Sequence, residues 1–478
     1  MSETNIPRSQ IFFLQLKSRD KCTGTIPSPL LVFQHYLYSE NYVNTEKAKM
    51  IVDVHSYSGG IVGPGVASAG TVKSGGTIRT GTPPGCWGPM ITPKFQGGHE
   101  VTMPVMVEGA EIGDAIALKL KKLRITSLAT SSGVMSFVEG RYTGDPFVAK
   151  LCATCGTTSP ASHIEGIGED AVHCDKCGAE VSAFRFTNGY VMVFDHENSL
   201  AITVGKDIAE RIATDAHAMA ALPGASMQHS ILTLARADLP GITSRVQPFL
   251  GNIGSSPSRD LPDSHNAGDF GSFLIDAPHA FGMTRDELDL HKTDGHMDTN
   301  SVREGAILIC PVKIPGGGIY MGDMHAQQGN GEIAGHATDV SGEVEVEVKL
   351  IKGLALDGPI LLQRSEDLPF LAKPLGPAER ASAQALAERY GQKMLEYNAP
   401  ITFIGSGRTL NDATHNGLSR AAKVTGLPYD EILNRATIAG SIEISRLPGV
   451  VRVTFLCPMA IIEKLGLDSL VEEQYALS

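Results

Sequence analysis

Four of the eight cysteines fall in two matched pairs, Cys152-x-x-Cys155 and Cys174-x-x-Cys177, separated by 18 residues and each followed by a glycine, Gly156 and Gly178. Thiolates at this spacing converge on tetrahedral zinc, and the glycines relieve the tight backbone turn each pair must make. Four sulfur ligands leave no open position for substrate, so the role is structural and residues 148–184 read as an inserted zinc ribbon. His163 and His173 lie within it and are taken as surface residues. The stretch between the pairs, 157–173, has no Lys or Arg. It therefore lacks the cations that bind nucleic acid phosphate.

A second chemistry-bearing segment is 320–335, YMGDMHAQQGNGEIAG. Asp323 and His325 are two apart, so an extended strand presents an oxygen and a nitrogen on one face, where they can share a metal. Gln327 continues that face. Glu332 follows a Gly-Asn-Gly turn, and a hairpin there would return its carboxylate as ligand or general base. Residues 293–299 crowd Asp294, His296 and Asp298 around a glycine, and 107–114 holds Glu108, Glu111 and Asp114. Each can supply hard oxygen ligands, and each taken singly also reads as a solvated acidic turn. Nucleophilic catalysis is the competing chemistry, through the Thr130 to Gly133 run or Cys86 in a Pro-Gly-Cys-Trp-Gly turn. Neither has a recognisable base beside it.

These groups need a scaffold, and the sequence indicates a β-rich one. The chain has 478 residues, too many for one ordinary core, with 52 glycines, about 11% against a usual ~7%. Many turns and few long helices follow. Residues 115–125 nearly alternate and 343–350, EVEVEVKL, alternate strictly, which is the period of a half-buried strand. Helical patterning is confined to 206–222, 377–397, 412–424 and 429–439. With an apolar strand at 450–456 the last third is α+β, and Pro369, Pro374 and Pro377 mark a boundary near 370. The expected division is a β-rich catalytic core at 1–147 and 185–370, the ribbon at 148–184, and an α+β portion at 371–478.

A formal charge of −12 without a basic stripe argues against nucleic acid and anionic lipid as partners. No apolar run reaches the roughly 18 residues of a membrane helix. The polar first residues lack a signal pattern, and sparse, metal-spaced cysteines suit a reducing compartment, so a cytoplasmic location is expected.

GDMHAQQGNGE (322–332) resembles the GDxHAxQGDGE motif of the acetamidase/formamidase family, and TMPVMVEGAEIGD (102–114) resembles its TGPxYVEGAEPGD. GHMDTNSVREGAILICPV, VQPFLGNIGSSP and GSIEISRLPGVVRVTFLCP are similar to further family segments. Together they span roughly 45–130 and 190–465 in family order. The resemblance implies a mainly β fold of sandwich and barrel-like parts with an α+β C-terminal portion, a homo-oligomer (dimer, trimer or hexamer), and hydrolysis of short amides to carboxylate and ammonia. It matches the family's functional acid and histidine to Asp323 and His325, its motif glutamate to Glu332, its VEGAE pair to Glu108 and Glu111, and a further acid to Asp298. Asn330 stands where the family has Asp and His296 where it has Asn. Losing a carboxylate and gaining an imidazole shifts a ligand set from hard towards borderline and favours zinc over calcium.

The resulting expectation is an amidohydrolase of small linear amides. Asp323, His325, His296 and Asp298 hold a divalent ion, zinc by the ligand set, that polarises the carbonyl and activates water. Glu332 or Glu108 moves the proton, with Glu111 beside them. The alternatives are hydrolysis of a larger or cyclic amide or ureide, or a metal-dependent lyase or non-catalytic binding protein on the same scaffold.

Overall fold

The computed structural model describes residues 47–85, 87–394 and 397–476. Cys86 and residues 1–46 of the expected core lie outside them.

The protein is mainly β with a C-terminal α+β part. The largest sheet among the described residues has twelve strands. It runs from Phe249–Ser255 through Ile319–His325, Val105–Val107, Gly70–Thr82, Gly342–Ile351, Ala115–Ile125 and Ile307–Pro311, then on through Ile360–Leu362, Asn398–Ser406, Val450–Pro458 and Gly440–Arg446. Lys49–Val54 joins beside Gly70–Thr82. The hydrogen-bonded ladder thus continues past residue 370, where Ile360 and Leu361 pair with Phe403 and Thr402.

Alternation decides which faces are covered. In Gly342–Ile351, Val344, Val346 and Val348 are buried while the glutamates between them are half-exposed. Ala115–Ile125 buries Ile116, Leu118, Leu120 and Leu123 as its pattern requires. Its one break, the adjacent Lys121 and Lys122, coincides with a bulge in the pairing between Glu345 and Val346. The extra residue keeps both lysines in solvent and returns Leu123 to the core.

A four-stranded sheet of Thr243–Arg245, Leu200–Val204, Phe184–Asp195 and Ala129–Phe137 stands separately. Helices Leu410–Thr425 and Tyr429–Ala439 pack on the last strands around Ile401, Phe403, Val453 and Phe455.

Two helical expectations are corrected. The 206–222 stretch is two short helices, Lys206–Ala213 and Ala216–Met219, parted at Thr214 and Asp215, where the Thr214 hydroxyl donates to Arg211 O at 2.7 Å. The 377–397 stretch is helical only over Pro377–Arg389 and buries none of its residues there. No helix among the described residues is long and apolar enough to cross a membrane.

Candidate functional site

Strand Ile319–His325 carries Asp323 and His325 into the interior, both fully buried. Its neighbour Phe249–Ser255 pairs Leu250 with Met324 and Asn252 with Gly322, so Gly251 lies across from Asp323. A Cβ at Gly251 would overlap Asp298 Oδ1 and crowd Asp323 Oδ2 at 2.7 Å. Only glycine leaves room for the carboxylates. The 293–299 loop is strapped to the same strand by the Met297 and Asp298 amides, which donate to Gly251 O at 2.9 and 3.0 Å.

Asp323, Asp298 and Glu332 all adopt left-handed backbone, with φ of 54°, 44° and 41°. Such conformations cost about 1–3 kcal/mol each in a non-glycine residue and persist where the surroundings impose them. The ideal extended strand expected at 323–325 is therefore bent at Asp323. The two side chains still meet, with His325 Nε2 lying 2.9 Å from Asp323 Oδ1.

Three imidazoles converge here, oriented alike. His296 Nδ1 lies 2.6 Å from Ser264 O, a carbonyl that can only accept, so this nitrogen donates. His325 Nδ1 faces Gln328 Oε1 at 3.2 Å, and the Gln328 amide is fixed because its Nε2 donates to Asp298 O at 2.8 Å. His99 Nδ1 is held by Asp263 Oδ2 at 2.6 Å, and Asn252 Nδ2 donates to the same oxygen at 2.8 Å. Each Nε2 then turns inward. That of His99 lies 3.3 Å from Asp323 Oδ2, that of His296 lies 2.9 Å from Asp298 Oδ2, and that of His325 lies 3.1 Å from Asp339 Oδ1.

A lone pair aimed at a carboxylate is repelled, so the array calls for positive charge between nitrogen and oxygen, supplied by protons or by a cation. Burial alone would depress the His99 imidazole, yet Asp323 and Asp263 outweigh it and raise it to about 9. His325 is likewise held well above its ordinary value against burial, chiefly by Asp323. Burial opposes the charge on Asp298, but His296 and Arg446 hold this carboxyl well below the usual range. Asp298 Oδ1, Asp323 Oδ2 and Glu332 Oε2 are buried without a hydrogen-bond donor. Of these, Asp298 and Asp323 offer ligand atoms within 4.8 Å of each other, and orphaned buried oxygens so placed fit a cation.

Two ligand triplets share Asp323: His99, His296 and Asp323, and Asp298, Asp323 and His325. Within each, the candidate ligand atoms lie within 4.8 Å of one another. Outer partners complete the centre as metal sites require, with Asp263 and Gln328 steering histidines. Arg446, fully buried, bridges Asp298 and Asp269 and lies over the Phe270 ring at 5.0 Å.

Glu332 reaches the same cavity by a route other than the expected hairpin. Gly331 N donates to Ser445 O at 3.1 Å and Leu447 N to Gly331 O at 2.9 Å, so the turn docks against the Arg446 segment. Burial, reinforced by Asp298, pushes the Glu332 carboxyl well above its ordinary value. The cavity measures about 20 Å³, room for about one water. Glu332, His99, His296, Asp298 and Arg446 face it together with the apolar Met90, Met135, Phe147, Phe270 and Leu447.

Other candidates lie elsewhere. Glu108 and Glu111 are exposed. Lys352 Nζ lies 2.7 Å from both Glu111 Oε2 and Asp114 Oδ2, and Asp114 also accepts from the Glu111 and Gly353 amides, so the 107–114 acids form a stapled turn. Gln327 turns away to Ser244 Oγ at 2.8 Å. Asn330 is exposed and accepts from Asn300 Nδ2 at 2.8 Å and Arg452 Nη2 at 3.2 Å. The zinc-over-calcium argument therefore retains its His296 half only. Asp294 is fully buried, paired with Arg420 and accepting from Ser406 Oγ at 2.7 Å rather than grouped with the other candidate ligands. Ser131 and Ser132 are buried within strand Ala129–Phe137; Ser131 donates to Tyr190 O, while Ser132 Oγ lies 2.6 Å from His336 Nδ1 and 3.1 Å from Ala337 O, so this run, contrary to expectation, does have an imidazole beside it.

His99, Asp263, Asp339 and Arg446 escaped the sequence reading. The one local signal for His99 is its place after Gly97 and Gly98, whose Cβ atoms would collide with Asp263 and Ser264.

The four cysteines of the insert form a second cluster, their ligand atoms also within 4.8 Å of one another. Cys152 Sγ lies 3.6 Å from Cys177 Sγ, and Cys155 Sγ lies 3.9 Å from Cys174 Sγ. The sulfur–sulfur edge of a tetrahedron with ~2.3 Å zinc–sulfur bonds is about 3.8 Å. Both knuckles share one pattern. Cys152 N donates to Thr157 O and Gly156 N to Cys152 O, while Cys174 N donates to Ala179 O and Gly178 N to Cys174 O. Gly156 and Gly178 have φ of 70° and 71° with open space around a would-be Cβ, so their requirement is conformational. His163 pairs with Asp175 and Glu165, and His173 with Gly178 O, outside the sulfur cluster.

The sequence model of the acetamidase/formamidase family matches residues 86–286 and 282–464. Among solved structures, one described as an acetamidase/formamidase from Thermoanaerobacter tengcongensis is 17% identical, covering 87% of this chain and 98% of its own, with a TM-score of 0.48. An acetamidase from Bacillus halodurans is 15% identical, with 87% and 99% covered and a TM-score of 0.48. A gamma lactamase from Delftia acidovorans is 15% identical, with 84% and 90% covered and a TM-score of 0.38. No curated protein matches. On the extent of the sequence-model match, the chain belongs to the acetamidase/formamidase family.

Proposed function

We propose that the protein hydrolyses a small linear amide to carboxylate and ammonia at the cavity beside Asp323. The observation that carries this reading is the common orientation of the three imidazoles, each tied at Nδ1 and each presenting Nε2 to a buried carboxylate. His99, His296, His325, Asp298 and Asp323 would hold a divalent ion, with zinc favoured by three nitrogen ligands. Such an ion supplies Lewis acidity to a carbonyl oxygen and acidifies water.

The remaining steps belong to the chain's own residues. Glu332 accepts a proton from the attacking water, whose oxygen bonds to the carbonyl carbon. It returns that proton to the amide nitrogen as the C–N bond breaks and ammonia leaves. Burial raises the proton affinity of this carboxyl, which makes it a stronger base towards water when it is ionised. Arg446 keeps Asp298 ionised and fixed. Glu108 and Glu111, exposed at a stapled turn, have no part in this proposal.

The cysteine cluster is assigned a structural zinc in the same reading, and the free cysteines suit a reducing, cytoplasmic setting. Exposed Leu200, Ile202 and Ile242 beside the edge strand Thr243–Arg245 support a homo-oligomer.

The test is ammonia release from formamide, acetamide, and larger and cyclic amides, before and after complete metal removal. Release from short linear amides that stops on removal and returns on adding zinc supports the proposal. Undiminished release without metal, or release from cyclic amides alone, overturns it.

A further inference from the structure

The ribbon does not stand apart from the cavity. Phe147, at its entrance, is 4% exposed and lines the cavity alongside Met135 and Phe270. It also belongs to the same apolar cluster as Cys152, Val172, Cys174, Val181 and Phe184. Its ring packs edge-on to Phe270 at 5.5 Å, and Phe270 packs edge-on to His296 at 5.5 Å.

Polar contacts follow the same route. Asp145 accepts from Phe147 N at 2.9 Å and contacts His265 Nε2 at 2.6 Å. His265 Nδ1 meets Ser264 Oγ at 2.9 Å, and Ser264 O accepts from His296 Nδ1 at 2.6 Å. On the other side of Phe147, buried Lys150 donates to its carbonyl at 2.8 Å. The acid that caps the ribbon's entrance therefore also steadies the loop under His296. Thiolates and cavity wall share one packed unit, and close packing transmits displacement from one to the other.

We propose that the ribbon is a specificity element: its zinc-linked knuckles fix Phe147 against Phe270 as the apolar wall of a cavity that holds about one water as it stands, and so set how long an acyl group the site admits. Phe147 is the specificity-determining residue, and the four cysteines are positioning residues that act through it. This rests on the amide-hydrolase reading above and goes beyond it by naming what limits the substrate.

The experiment compares wild type with Phe147→Ala, Phe147→Leu and Cys177→Ser on a series from acetamide to butyramide. The readouts are kcat/KM, zinc per chain, and calorimetric binding of the same amides to the Glu332→Gln background. Each added methylene in a shaped apolar pocket is worth about 10-fold to 200-fold in discrimination, and butyramide carries two more than acetamide. Phe147→Ala is expected to raise the butyramide-to-acetamide ratio at least about tenfold, and Phe147→Leu to leave it within about threefold. Cys177→Ser is expected to lose one zinc and move the ratio in the same direction.

A ratio unchanged in Phe147→Ala overturns the proposal, as does loss of ribbon zinc without any change in ratio. Phe147→Ala touches no thiolate, so it decides the wall even if the cysteine variant fails to fold. Absence of ammonia release in wild type would sink the hydrolase reading instead, and the binding series would still report the wall.

Discussion

His99 presents Nε2 to Asp323 Oδ2 at 3.3 Å while Asp263 holds its Nδ1 at 2.6 Å, both contacts being fully buried. A carboxylate behind a ligand histidine fixes its tautomer and makes it a better donor. Asp263→Asn is expected to weaken metal binding at the centre by about 10-fold to 100-fold, measured by competition with a chromophoric chelator. Unchanged affinity would remove His99 from the ligand set.

Glu332 and Glu108 separate cleanly by burial. Glu332→Gln keeps the shape of the side chain and removes the proton carrier, so kcat should fall at least about 10²-fold. Glu108→Gln, on an exposed turn, should leave it unchanged. Equal losses in the two would contradict the assignment of the proton to Glu332.

Arg446 is buried among acids, contacting Asp269 and Asp298. Replacing it by Met leaves buried carboxylates uncompensated, a loss of about 3–5 kcal/mol, readable in denaturant unfolding of the metal-loaded protein. A smaller effect than about 1 kcal/mol would mean that the pair is relieved by water.

Asp114 staples its turn through Lys352 and two amides, which hold its carboxyl below the ordinary value although burial acts the other way. A depressed carboxylate contributes stability that is complete above the unfolded value near 3.9 and fades as pH falls below it. The stability gap between wild type and Asp114→Asn should therefore be widest at neutral pH and shrink below about pH 4. A gap that widens in acid would reverse the sign and refute this account.

Metal counting tests both centres at once. A closed four-thiolate site offers a chelator no open position, whereas a site open to substrate does, so mild chelation should strip the Asp323 centre first and leave one zinc per chain. Simultaneous loss of all metal would argue against two separate sites.

What could be read in the sequence was what local geometry encodes. Two cysteines three apart, each pair followed by a left-handed glycine, make a knuckle whatever surrounds them. Strict alternation in EVEVEVKL fixes a strand because successive side chains point to opposite faces. The closeness of Asp323 to His325 likewise followed from their spacing, although the left-handed turn at Asp323 did not. The tertiary structure alone decided which distant groups complete the centre. His99 and Asp263 are 164 residues apart, and Arg446 and Asp298 are 148 apart. Local sequence carries no signal of such meetings, since a lone histidine or arginine reads the same whether solvated or buried. Burial also separated the acids of the two motifs, leaving Glu108 and Glu111 on the surface and enclosing Asp323, His325 and Glu332, because charge in water needs no partner while charge in the interior must find one.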